Sequence, residues 1–403
     1  MDKSLLLILL CLCMAALLAA YMNPPLVKLA FSKRILDHPN ARKLQNRPIP
    51  VIGGISVFAA ATAMLLISNL FIDTSELYVP LLCLFFIFFV GLFDDMIGIS
   101  FVTKFAFQIV VIFFLWYLGF RLDDLDGILG INNIPMAPSL ILSILAGVGL
   151  INAMNLIDGV DGLSSGLGIL SGSVIGVNFI LHGDIIYSIL AFSFVGALIP
   201  FFTYNVFSRK YKMFIGDSGS LVLGTLAYLF TCRIIDQPII YNTDLYSISL
   251  MLTIYAVPVF DTIRVMVARM LRGHSPFLPD KTHLHHLFIA MGYPHVVVTS
   301  IILIITTVLL AIWFVLAFFI KDVTIMTIVM GGVSAMLVWG IYLYYDHQRN
   351  KISRTYARSV LHARMWRRRI HYIYYRLQCI IDHKEYPFVE LGGTANTKKE
   401  KKK

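Results

Sequence analysis

The chain has 403 residues, with 33 Lys and Arg against 23 Asp and Glu for a formal net charge of +10, yet it is 58% hydrophobic and only 14% charged. Water-soluble globular folds are excluded, because the apolar runs are continuous instead of alternating with charge, and many approach the roughly 20 helical residues that cross a hydrocarbon core. The runs are also too long and unbroken for barrel strands, and unpaired backbone is too costly in lipid, which leaves an all-α polytopic integral membrane protein.

Read in chain order, about eleven transmembrane helices are expected, near residues 4–22, 51–72, 77–93, 101–120, 137–153, 163–181, 185–204, 217–234, 245–265, 297–320 and 323–345. The opening stretch "KSLLLILLCLCMAALLAA" has the lysine, apolar run and small residues of a cleavable leader. The further spans and the basic segment behind it favour a retained first span. With the N-terminus outside, 29 of the 33 Lys and Arg fall on the cytoplasmic side, leaving Lys3, Arg121, Arg233 and Lys321 opposite, a strong positive-inside bias. Five scattered cysteines with no CxxC pair point to neither a disulfide framework nor a zinc site. Residues 1–345 therefore form one membrane-embedded domain, and residues 346–403 a basic cytoplasmic tail.

On the cytoplasmic side, four polar clusters each adjoin a span end. "GLFDDMIGISFVTKFAFQ" places Asp94 and Asp95 at the end of the third span, with Lys104 and Gln108 entering the fourth. Taken alone, such a pair fits a solvated helix boundary as well as a site. "NAMNLIDGVDGLSSG" places Asp158 three residues before Asp161. The two would share a face, with Asn152 and Asn155 in register, if the stretch is helical. Carboxylates at a membrane edge are costly enough to be functional by default, and one helix cap accounts for only one of these four side chains. "FIGDSGS" sets Asp217 in a Gly/Ser turn before a span, where backbone N–H groups and the helix dipole favour anions. A carboxylate there makes sense if a hard cation such as Mg²⁺ bridges it to phosphate.

The fourth cluster, "RVMVARMLRGHSPFLPDKTHLHHLF", holds Arg264, Arg269, Arg272, His274, Ser275, Asp280, Lys281, His283, His285 and His286. A zinc site needs His at i and i+4 or a wider mixed ligand set. Beside so many Arg and Lys, a phosphate site is the more natural reading. Acids for a metal and basic groups for phosphate, all at a membrane surface, are the parts for phosphoryl transfer to a lipid.

These motifs, together with "LDHPNARKLQNRPIPVIGGISVF" (Leu36 to Phe58), resemble in family order the polyprenyl-phosphate N-acetylhexosamine-1-phosphate transferases. These enzymes move a sugar 1-phosphate from a UDP-sugar to undecaprenyl phosphate. "HLHH" without a following Glu looks like the branch that uses UDP-GlcNAc, the WecA and TagO type, ahead of the branch that uses UDP-MurNAc-pentapeptide. The resemblance implies the start of cell-envelope polysaccharide synthesis in a bacterial inner membrane, with Mg²⁺ as cofactor and Mn²⁺ as an alternative ion. It implies that Asp217 and Asn155 hold the metal, and that Asp94 and Asp95 handle the lipid phosphate with Lys104 holding it. Asp158 and Asp161 shape the nucleotide and metal pocket beside Asn152, and the loop from Arg269 through Arg272 to His283, His285 and His286 clasps the pyrophosphate. Asp37, Asn40, Arg42 and Lys43 match a loop assigned to substrate access. Attack is direct or passes through an aspartyl phosphate; the residues do not separate the two.

An ion- or proton-coupled transporter is the rival of another class. It requires acids near mid-span and paired half-helices, whereas these acids crowd one edge. The tail stretch "HARMWRRRIHYIYYRLQ" reads equally as a helix on anionic lipid headgroups or as a solvated basic helix. The terminal "GGTANTKKEKKK" reads as disordered. Partners are membrane lipids and the two substrates; nucleic acid is not among them, and a homo-oligomer is compatible with the composition.

Overall fold

The computed structural model describes residues 3–37, 48–236, 247–276 and 282–345, together with 377, 381 and 382. Asn40, Arg42, Lys43, Asp280, Lys281 and the tail stretches named above lie outside the described residues.

The described chain is helical, with one two-residue hairpin. In order it forms α1 (Lys3–Lys33), β1 (Leu36–Asp37), β2 (Ile49–Pro50), α2 (Gly53–Ser68), α3 (Tyr78–Ile97), α4 (Phe101–Tyr117), α5 (Met136–Ile157), α6 (Leu163–Leu181), α7 (Ile185–Phe207), α8 (Gly216–Ile235), α9 (Ser247–Ile254), α10 (Ala256–Leu271), α11 (Leu284–Ala290), α12 (His295–Phe319) and α13 (Val323–Tyr345). Eight of these helices are long and apolar enough to span a bilayer, and α9 with α10 would make a ninth as a pair bent by 72°. Helices α2 and α4 are apolar but shorter, at 16 and 17 residues. The protein is thus an all-α, multi-pass membrane protein.

Two expected boundaries shift. The first helix does not stop near residue 22 but runs through Pro24 and Pro25 to Lys33, a course that bundle packing tolerates where an isolated helix would break. The run expected at 245–265 is divided at Tyr255. The short α11 was not foreseen, because seven residues leave no span-length signal.

Helix α8 is the centre of the bundle, with nearly every residue from Gly216 to Ile234 buried. Small residues let it sit there, as close packing between membrane helices requires. A Cβ on Gly224 would lie 2.4 Å from Ile151 Cα in α5, and one on Gly91 in α3 would lie 2.5 Å from the Asp217 carbonyl. Helix α1 packs on α7 in the same way, with Gly196 against the Leu12 carbonyl.

The start of α8 is pinned by the chain before α2. Phe214 N–H donates to Pro50 O at 2.8 Å, and Gly53 and Gly54 N–H donate to Phe214 O and Ile215 O at 2.9 and 2.8 Å. From the other side, Asn205 accepts from Gly162 N–H at 2.6 Å and donates to Met213 O at 2.7 Å. The segment leading into Asp217 is thereby fixed to both α2 and the α5–α6 turn.

Candidate active site

Asp217 lies in the first turn of α8 rather than in a turn ahead of it, with Gly216 in the left-handed region at φ 74°. The backbone N–H groups that the sequence offers to an anion are already engaged. Asp95, near the end of α3, accepts from Asp217 N–H at 2.8 Å and from Ser218 N–H at 3.0 Å. It acts as a capping carboxylate supplied from another helix.

Asp94 turns toward the Asp217 side chain instead. Its Oδ1 accepts from Ile99 N–H at 2.7 Å, and its Oδ2 lies 2.6 Å from Lys104 Nζ. The same ammonium is 2.5 Å from Asp217 Oδ2. Gly98, at φ 68°, ends α3, and Ser100 caps α4 by accepting from Thr103 N–H at 3.1 Å, so a tight turn carries Lys104 back over the acids.

From α5, Asn155 Nδ2 donates to Asp217 Oδ1 at 2.7 Å and to Ser220 Oγ at 2.8 Å. Its carbonyl oxygen is left as the atom to offer a cation. Asn152 is spent within the bundle, its Nδ2 donating to the buried Gln108 Oε1 at 2.7 Å and to Val148 O at 2.8 Å.

Helix α5 ends at Ile157, so Asp158 and Asp161 do not continue its face. They sit in a turn closed by Gly162 at φ 77°. Asp158 accepts a hydrogen bond from Ser164 Oγ. Enclosure by the protein pushes its carboxyl well above the ordinary range, and the charges of Asp217, Asp95 and Asp161 add to this against the Ser164 bond.

Asp161 is locked to the far wall instead. Lys212 Nζ is 2.6 Å and His295 Nδ1 3.1 Å from its Oδ2, and Thr299 donates to its carbonyl at 2.7 Å. Burial raises this carboxyl, but the His295 hydrogen bond and the Lys212 charge outweigh it and hold Asp161 below the usual range.

The histidine loop reaches this wall. A Cβ on Gly159 would be 3.3 Å from His285 Nε2, so a residue without a side chain lets the imidazole approach. Burial, reinforced by His286 and His283, pushes His285 down to about 3. His283 and His285 stack at 5.8 Å, and the His286 ring lies 4.3 Å from that of His285. Behind them, Asp261 Oδ2 is 2.9 Å from His283 Nδ1. Arg269 is buried and donates to Pro276 O, whereas Arg272 is exposed beyond α10.

Asp94, Asp95, Asn155, Asp158 and Asp217 thus gather at one end of the bundle with Lys104, and His283, His285 and His286 abut them. Asn152, Asp161 and Arg269 serve as braces. Lys212, His295, Ser220 and Asp261 escaped the sequence reading. Asp261 carried a signal, a carboxylate inside an apolar run three residues before Arg264. Lys212 and His295 had none, since one is an ordinary loop residue and the other an ordinary first residue of α12 until Asp161 is placed beside them.

Among the described residues, no three His, Cys, Asp or Glu side chains converge as a metal cluster. The donors present are oxygens, and two facing carboxylates already share one cation in Lys104. That set fits Mg²⁺, which takes one or two protein carboxylates and keeps waters. It does not fit zinc, which takes three or four protein ligands, since no such set converges among the described residues.

The site and the bundle define a membrane-embedded transferase, and the chain belongs to glycosyl transferase family 4, whose profile matches residues 77–235. The undecaprenyl-phosphate alpha-N-acetylglucosaminyl 1-phosphate transferases of Yersinia pestis and Escherichia coli (strain K12) are each 33% identical to it, over 270 and 273 residues, or 66% of this chain and 72% of theirs. A Bacillus subtilis protein named "Probable undecaprenyl-phosphate N-acetylglucosaminyl 1-phosphate transferase" is 30% identical over 283 residues, 70% of this chain and 77% of its own.

Proposed function

We propose that the protein transfers N-acetylglucosamine 1-phosphate from UDP-GlcNAc to undecaprenyl phosphate, releasing UMP, at the cytoplasmic face of a bacterial inner membrane. The observation that carries this reading is the joining of separate polar motifs at one end of the bundle, where Lys104 Nζ is shared by Asp94 and Asp217. The names of the relatives supply the sugar and the lipid, and the positive-inside bias supports the face.

A phosphate monoester has a second pKa of about 6, so the lipid nucleophile is mostly dianionic near neutrality. Orientation then matters more than proton removal. Lys104 holds the attacking phosphate and Asp94 holds Lys104, while Asp95 keeps the start of α8 in place. Mg²⁺, held by Asp217 and Asn155, would neutralise the donor pyrophosphate and the departing UMP. Asp158 and His285 shape the nucleotide side of the pocket, with His283 and His286 turned toward the sugar and pyrophosphate.

The test is UMP release by purified protein given Mg²⁺, undecaprenyl phosphate and a panel of UDP-sugars. Release with UDP-GlcNAc is expected. No release with any UDP-HexNAc overturns the reading, and release with UDP-MurNAc-pentapeptide alone moves the protein to that branch. Trapping a sugar phosphate on the protein without lipid would replace direct attack by the covalent route.

A further inference from the structure

Asp261 is a carboxylate within α10, 3% exposed, and it receives four N–H groups. Arg264 Nη2 donates at 2.8 Å and Arg264 Nε at 3.3 Å. The N–H of Leu284, at the start of α11, lies 3.1 Å from Oδ1, and His283 Nδ1 is 2.9 Å from Oδ2. Arg264 also donates to Thr282 O and stacks on Tyr342 at 4.1 Å. This bracket ties both residues flanking the His283 backbone, and its ring, to α10.

A buried acid so placed is more than a structural pin. With Asp261 accepting at Nδ1, that nitrogen carries the proton, and Nε2 becomes the outward atom. His283 is 3% exposed, and its Nε2 has no hydrogen-bond partner among the described residues. An unpartnered buried nitrogen is destabilising, a penalty a bound ligand removes. The ring lies parallel to His285, whose Nε2 touches the Gly159 turn beside Asp158.

We propose that Asp261 is a positioning residue that fixes the ring and proton of His283, so that Nε2 accepts a hydrogen bond from a hydroxyl or amide N–H of the nucleoside-diphosphate sugar. This rests on the reading of His283 as a substrate-facing group. Arg264 balances the charge of Asp261 and keeps it from attracting the metal or the other histidines.

Two measurements test it. In the first, kcat and KM for UMP release are compared among wild type, Asp261→Asn, His283→Ala and the double variant. If Asp261 acts through His283, Asp261→Asn costs at least about tenfold in kcat/KM with His283 present and less than about threefold once it is gone. Equal losses in both backgrounds, or a His283→Ala protein as active as wild type, overturn the proposal. The second needs neither turnover nor a folded variant at position 261. Nitrogen-15 histidine spectra of the unsubstituted protein, with the His283 signal assigned by its loss in His283→Gln, should show Nδ1 carrying a proton. A proton on Nε2 alone overturns the proposal, whereas absence of UMP release from wild type would overturn the proposed function and leave this readout standing.

Discussion

Lys104 Nζ lies 2.6 Å from Asp94 Oδ2 and 2.5 Å from Asp217 Oδ2, so one ammonium joins the end of α3 to the start of α8. Replacing it by Met leaves two half-buried carboxylates without a shared cation. Removing the shared partner of a partly buried ion pair costs about 1–2 kcal/mol. Lys104→Met should therefore lower the thermal midpoint as well as cut turnover by roughly a hundredfold, the scale of losing one preorganised charge. Turnover within threefold of wild type would remove Lys104 from the site.

The neighbouring acids separate by the same logic. Asp95 spends both oxygens on the first N–H groups of α8, whereas Asp94 holds Lys104. Asp94→Ala should cut UMP release by no more than the roughly hundredfold expected of Lys104→Met, through the loss of Lys104 placement. Asp95→Ala should in addition lose the cap, worth about 1–2 kcal/mol, and unfold at a lower temperature than Asp94→Ala. The reverse order of midpoints would show that Asp95 is not the cap.

Gly91 offers a steric test. A methyl group there meets the Asp217 carbonyl and Ser218 N at 2.5 Å, both backbone atoms that cannot swing aside, whereas one on Gly149 meets nothing within 4 Å. Gly91→Ala should displace the start of α8 and lose at least about 2 kcal/mol of stability together with activity. Gly149→Ala should leave both unchanged, and equal behaviour of the two variants would contradict the packing.

His285 sets a pH dependence. Held near 3 in the folded protein against an ordinary 6.5, it stays neutral where the unfolded chain takes up a proton. Its contribution is complete above pH 6.5 and drains as the pH falls toward 3. From pH 6.5 to 5 the loss amounts to about 2 kcal/mol. The wild-type thermal midpoint should fall more than that of His285→Gln over this interval. Asp158 has the opposite sign, since its raised carboxyl favours folding as the pH falls, but it is common to both proteins and drops out of the difference. Parallel midpoint curves would refute the assignment.

Among the described residues, the tail meets the bundle through Asp382. Asp382 accepts from Ser208 Oγ at 2.5 Å, from Arg209 N–H at 3.0 Å and from Lys210 N–H at 3.2 Å. Asp382→Ala should quicken tryptic cleavage after Arg209 and Lys210 and lower stability by about 1–3 kcal/mol. An unchanged cleavage rate would show that the contact does not hold the loop.

The helices were legible because a bilayer demands long apolar runs, and composition reports them directly. The acidic motifs were legible because carboxylates are rare at membrane edges. Which acid does what was not, since Asp95 and Asp94 are adjacent and alike until α8 packs against one of them. The turn from Asp158 to Gly162 was legible only in part, because the spacing of its acids also fits a shared helical face. Gly162 and the hold of Asn205 on its N–H decide otherwise, and Asn205 comes from a helix far along the chain. The break at Tyr255 left no Gly or Pro at the bend itself to announce it.

For laboratory handling, Asp382 is not a remote attachment point. Asp382 grips Ser208 to Lys210, and two residues further on Lys212 grips Asp161, which shares a turn with Asp158. A carrier protein or affinity handle fused directly behind Asp382 would pull on a short relay toward the candidate site.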